Sequence, residues 1–144
     1  MRRLGGITLL FLAIGSACGP PAPIRARGQI GALEITDAFA REPITLASGA
    51  AYLTIHNTGA EPDTLLSADS PEAAGAMFHG QSMAHLDQLP IPPGGTVALA
   101  PGGTHLMLTD FTKMPVVGDS LVIVLDFARA GRLQFKVPVR PVTE

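Results

Sequence analysis

The sequence predicts an all-β protein, a β-sandwich or small barrel of about eight short strands. Three observations carry this reading. Apolar and polar residues alternate with a period of two in several segments, turn-forming residues separate those segments at short intervals, and no stretch sustains an apolar stripe at a 3.6-residue period. The 16 Gly and 13 Pro in 144 residues interrupt the chain too often for a helical bundle. Apolar residues make up 47% of the composition, enough for one core, and the length is that of one domain.

The strands follow in order. Leu33 to Phe39 alternates, as does Ala51 to His56, which Asn57-Thr58-Gly59 closes as a turn that includes His56 at its edge. Short segments around Thr64 to Ser67 and Ala74 to His79 come next. Pro92-Pro93-Gly94-Gly95 and Pro101-Gly102-Gly103 bracket a strand at Thr96 to Ala100, and Thr104 to Thr109 is its successor. Gly118-Asp119 introduces Ser120 to Ala128, and a hairpin through Ala130-Gly131 leads into Arg132 to Val139.

Ahead of this body lies an address. Arg2 and Arg3 precede an apolar run from Leu4 to Ile14, and small residues Gly15, Ser16 and Ala17 lead to Cys18. That is the three-part pattern of an export signal over residues 1–17, with an apolar run too short to span a bilayer. Small residues before a cysteine resemble the bacterial lipobox, which implies lipidation of Cys18; ordinary cleavage nearby is the alternative. Residues 18–31, rich in Pro and Gly, read as a flexible tether, and 32–144 as the folded body. Without Arg2 and Arg3 the chain holds 8 basic and 12 acidic side chains, a charge of −4. Such a balance excludes a nucleic-acid binder and leaves the lipid as the one expected contact with a membrane.

Past the signal there are four Met and four His, and seven of these eight fall between Met77 and Met114. Thioethers are soft ligands and imidazoles borderline ones, a combination that suits Cu(I) over Mg, Ca or Zn. In His105-Leu106-Met107-Leu108 the strand period puts His105 and Met107 on one face and the two leucines on the other. The leucines can face a core while His105 and Met107 point out together. The same rule pairs Met77 with His79.

From about Leu33 to Val139 the chain resembles the PCuAC family (DUF461) of periplasmic copper chaperones, whose signature is a His, a Met, a 21-residue gap and then His-x-Met. Here 21 residues separate Met83 from His105, and His105-Leu106-Met107 supplies the ending. The stretch Leu89 to Phe111, with its two Pro-Gly-Gly turns, is similar to the family's hairpin and ligand strand, and Gly118-Asp119-Ser120-Leu121 and the last hairpin also fit. The resemblance implies a cupredoxin-like fold and a Cu(I) site of His79, Met83, His105 and Met107. His85 competes for a place, because only Gly80, Gln81 and Ser82 separate His79 from Met83. It further implies copper delivery in the bacterial periplasm, to cytochrome c oxidase or another copper chaperone. Met77 has no counterpart in the signature and is expected to pack in the core or at its rim. Met114, before Pro115, is expected to be apolar filler.

Other chemistries find no support in the residues. A blue-copper site needs a Cys thiolate, and the single cysteine precedes the body. No H-E-x-x-H, P-loop or G-x-S-x-G occurs, so an enzyme is not expected. Two other readings stay open at this point: a tethered β-sandwich that binds a protein and no metal, and an envelope store for copper.

Overall fold

A computed structural model describes residues 25–143; the expected signal, Cys18 and residues 18–24 of the expected tether lie outside them. Among the described residues there are eleven strands and no helix. In chain order these are β1 (Ala26–Ile30), β2 (Leu33–Arg41), β3 (Ser48–Asn57), β4 (Asp63–Asp69), β5 (Ala73–His79), β6 (His85–Leu86), β7 (Leu89–Ile91), β8 (Thr96–Leu99), β9 (His105–Phe111), β10 (Ser120–Phe127) and β11 (Gly131–Arg140).

One sheet runs β6-β5-β9-β3-β2, with β1 added on β2 and β8 on the second half of β3. The other runs β11-β10-β4-β7. They join where the end of β11 pairs in parallel with the end of β2, Val139 opposite Ala40 and Arg140 opposite Arg41; every other pairing is antiparallel. The result is the expected all-β, cupredoxin-like sandwich. Its core is the layer between the sheets, where Ile35, Ile55, Leu65, Ile91, Leu106, Leu108, Ile123 and Leu125 are fully buried. Each such side chain contributes about 1.5–3 kcal/mol of apolar transfer.

All eight expected strands are present, and three more correct the count. Strand β1, Ala26–Ile30, falls inside the stretch expected to be a tether. Its burial alternates, and it returns along β2 through the two-residue turn Gly31-Ala32, where Gly31 has φ 56°. Gly28 packs closely here: a Cβ would meet Leu133 Cδ2 at 3.2 Å, and that side chain would have to give slightly. Strands β6 and β7 have two and three residues, and Pro90 in β7 is tolerated because β7 is a sheet edge. His56 is also corrected. It lies within β3, opposite Thr96, and its Nδ1 is 2.9 Å from the Thr96 hydroxyl.

Candidate metal centre

Alternation along β9 buries Leu106 and Leu108 and leaves His105 and Met107 half-exposed on the outer face. Strand β5 does the same with Phe78 buried and Met77 and His79 half-exposed. The antiparallel register then sets His79 directly opposite His105 and Met77 directly opposite Met107. Residues paired this way have Cβ atoms about 4.5–5.5 Å apart. The four side chains form a two-by-two block on the outside of the sheet. On the next strand, β3, Ala50 stands opposite Met107 and adds only a methyl group beside it.

The two imidazoles are prepared differently. Nδ1 of His105 lies 3.0 Å from the Gly103 carbonyl oxygen, so it carries the proton and donates, and Nε2 keeps its lone pair for a ligand. Nδ1 of His79 is buried without a hydrogen-bond partner, an arrangement proteins rarely leave standing without a use. The ring centroids lie 5.7 Å apart, nearly perpendicular. Two imidazole nitrogens at about 2.0 Å from one ion place their ring centres roughly 5–6 Å apart, so this pair is already spaced to share a metal.

His85 sits on the far side of His79, opposite it across β5–β6, with ring centroids 6.4 Å apart. Its Nε2 is 3.3 Å from a carboxylate oxygen of Asp87, and both side chains are well exposed. Among the described residues no group of three or more His, Cys, Asp or Glu is arranged to hold a metal, so a site on this face needs its thioethers.

Met83 occupies the three-residue hairpin loop Gln81-Ser82-Met83, closed by Gly80 N–H to the Ala84 carbonyl (2.8 Å) and Met83 N–H to the Gly80 carbonyl (2.9 Å). Such loops end in a left-handed residue, usually Gly. Here that residue is Met83, with φ 62° and 55% exposed. A long side chain in this conformation is an outlier, and outliers of this kind gather at functional sites. The structure thus brings His79, His105 and Met107 together, puts His85 next in the row, and holds Met83 at the hairpin tip. Met77, outside the ligand set that the resemblance implies, stands on the same face as His79 and opposite Met107. Met114 is half-buried beyond the other end of β9.

Residues 33–139 match the family described as "Putative lipoprotein LpqE-like". The chain belongs to the LpqE-like family. The resemblance to PCuAC proteins holds as well, through the solved structures that this LpqE-like chain matches. The apo PCuAC domain from PmoF1 superposes with a TM-score of 0.75 at 28% identity, covering 81% of this chain and 99% of that one. The copper-bound PCuAC domain from PmoF2 gives 0.74 at 28% identity, over 81% and 98% of the two chains. The solution structure of CuI-DR1885 from Deinococcus radiodurans gives 0.66 at 25% identity, over 92% and 88%. A protein of Leifsonia xyli subsp. xyli, described as a "Putative lipoprotein", is 27% identical over 143 residues, 92% of this LpqE-like chain and 84% of its own.

Proposed function

We propose that this protein is an extracytoplasmic copper carrier that binds one Cu(I) through His79, Met83, His105 and Met107 and passes it to a copper-accepting protein. The observation that carries the reading is the opposed pair of imidazoles, one with its Nδ1 proton fixed by Gly103 and the other with a buried, unpartnered nitrogen, beside Met107 on the same outer face. Two imidazoles with thioethers are a soft, neutral donor set, matched to Cu(I) and poor for Cu(II). With no thiolate among the ligands, the bound site keeps the ion's single positive charge. That favours release to a partner with stronger donors and makes the protein a carrier rather than a catalyst.

By the family resemblance, the acceptor is the copper centre of cytochrome c oxidase or another copper chaperone. The family and the relative described as lipoproteins support an exported, membrane-anchored protein, and Cys18 is the residue we assign to the anchor. The test is an anaerobic Cu(I) titration of the purified protein against a colorimetric chelator, beside Met107→Ala. One tight equivalent that weakens strongly in the variant is expected. Failure to compete with the chelator, or binding indifferent to Met107, refutes the reading, and several equivalents per chain would indicate storage instead.

A further inference from the structure

The ligand set implied by resemblance takes one residue from the hairpin tip and three from strands, yet a fourth strand-borne donor is already in place. Met77 lies directly opposite Met107 and two residues before His79 on the same face. Its diagonal neighbour is His105, at the roughly 7–8 Å separation that long side chains bridge. Of the two places expected for Met77, the core or its rim, the half-buried side chain takes the rim. The partly buried apolar residues against the core are Ala26, Ile30, Ala76, Leu86, Val97, Ala130, Leu133 and Phe135; neither Met77 nor Met107 is among them. Strand β6 stops opposite Phe78, so at Met77 strand β5 is the sheet edge, and the thioether is flanked by Met107 on one side only.

We propose that Met77 is a copper ligand, completing a strand-borne set of His79, His105, Met77 and Met107, with Met83 the thioether that exchanges with it from the hairpin tip. This rests on the copper reading above and assigns its donors. Four donors on two paired strands are fixed by one register, whereas Met83 is exposed and held in a strained turn. A carrier needs one donor that can leave so that an acceptor's ligand can enter, and the tip is placed for it.

The test uses the full purified protein with its methionine methyl groups labelled with 13C, titrated anaerobically with Cu(I) and followed by NMR, beside Met77→Leu and Met83→Leu. Leucine keeps volume and apolarity and removes the sulfur. The Met77 resonance, identified by its loss in Met77→Leu, should shift at the first equivalent. Affinity should fall at least about tenfold in Met77→Leu, and much further in the double variant than the singles predict, because each thioether substitutes for the other. A Met77 resonance unmoved while those of Met107 and Met83 shift, or unchanged affinity in Met77→Leu, overturns the assignment and leaves the copper reading standing. No shift of any methionine overturns both.

Discussion

Replacing Met83 by glycine separates what this residue does for the fold from what it does for copper. A non-glycine residue in the left-handed region costs about 1–2 kcal/mol, because its Cβ crowds the following carbonyl. Glycine removes that strain and, through the extra freedom of the unfolded chain, costs back roughly 0.5–1 kcal/mol. Because Met83 is 55% exposed and makes no part of the core, little burial is lost. The net expectation is an apo-protein more stable by about 0.5–1 kcal/mol, or about 2–4 °C in Tm for a domain of this size. Copper binding should move the other way, weakening at least roughly tenfold, or ~1.4 kcal/mol. Met83→Ala is the control: alanine keeps a Cβ in the strained conformation, so it should lose copper affinity without gaining stability. Thermal and urea unfolding of the apo-proteins, with chelator competition for Cu(I), measure both sides. A glycine variant that is less stable than its parent would refute the strain argument, and one that binds Cu(I) as well as its parent would remove Met83 from the site.

Other consequences follow from the same geometry. Leu106→Ala should destabilise the fold by about 2–5 kcal/mol, while its neighbour Met107→Ala should leave unfolding nearly unchanged and impair Cu(I) binding; an unfolded Met107→Ala protein would invalidate the assignment of faces. Gly75→Ala should cost about 1 kcal/mol, since its Cβ would meet the Thr109 hydroxyl oxygen at 2.7 Å, and Thr109→Ala in the same chain should recover most of it. Asp63 is buried, which pushes its carboxyl up, but backbone N–H groups of Arg129, Thr64 and Ala130 more than offset this and hold it below the ordinary value. The stability it supplies is therefore present above the unfolded carboxyl's range and is lost as pH falls through the lower folded value. Asp63→Asn should cost about 1–3 kcal/mol at neutral pH and flatten the acid limb of the stability profile, an outcome that urea midpoints across pH would check.

The strands were legible where the chain states its own period. Eight segments alternate over enough residues to be read, and all eight are strands. Strands β6 and β7 are too short to show a period, and β1 is hidden by glycines that look like a tether, of which Gly28 packs beside Leu133 and Gly31 makes the turn into β2. His56 was placed at a turn because the Asn57-Thr58-Gly59 signal draws attention one residue too early; the strand carries through to Asn57, whose side chain makes the turn by accepting from Gly59 N–H at 2.9 Å. In the site, His105 and Met107 could be placed on one face from sequence because two residues of one strand need only the local period. The pairing of Met77 with Met107 depends on register between strands some thirty residues apart, which the packing of Phe78 and Ala76 against Leu106 and Leu108 decides and no local pattern reveals.

That same register explains why metal and fold can be uncoupled here. The leucines that hold β9 to the core and the proposed donors His105 and Met107 alternate along a single strand, so the stabilising side chains and the proposed ligands never compete for the same face. The imidazoles are spaced before any ion arrives, with the His105 ring fixed by Gly103, so little ordering free energy is charged to binding. What is not preorganised is the hairpin tip. Met83 is exposed there in a left-handed conformation, and binding through this residue must draw its side chain over the His79 end of the block. On the proposed donor set, the strand-borne donors would set retention, and the tip would set how readily a partner's ligand can displace a thioether. If so, substitutions at Met77 or Met107 should act on the equilibrium affinity, and Met83→Leu should, beyond its loss of affinity, also change the rate of Cu(I) transfer to a competing chelator. Stopped-flow transfer rates that tracked affinity alike for all three positions would show the site to be one rigid unit.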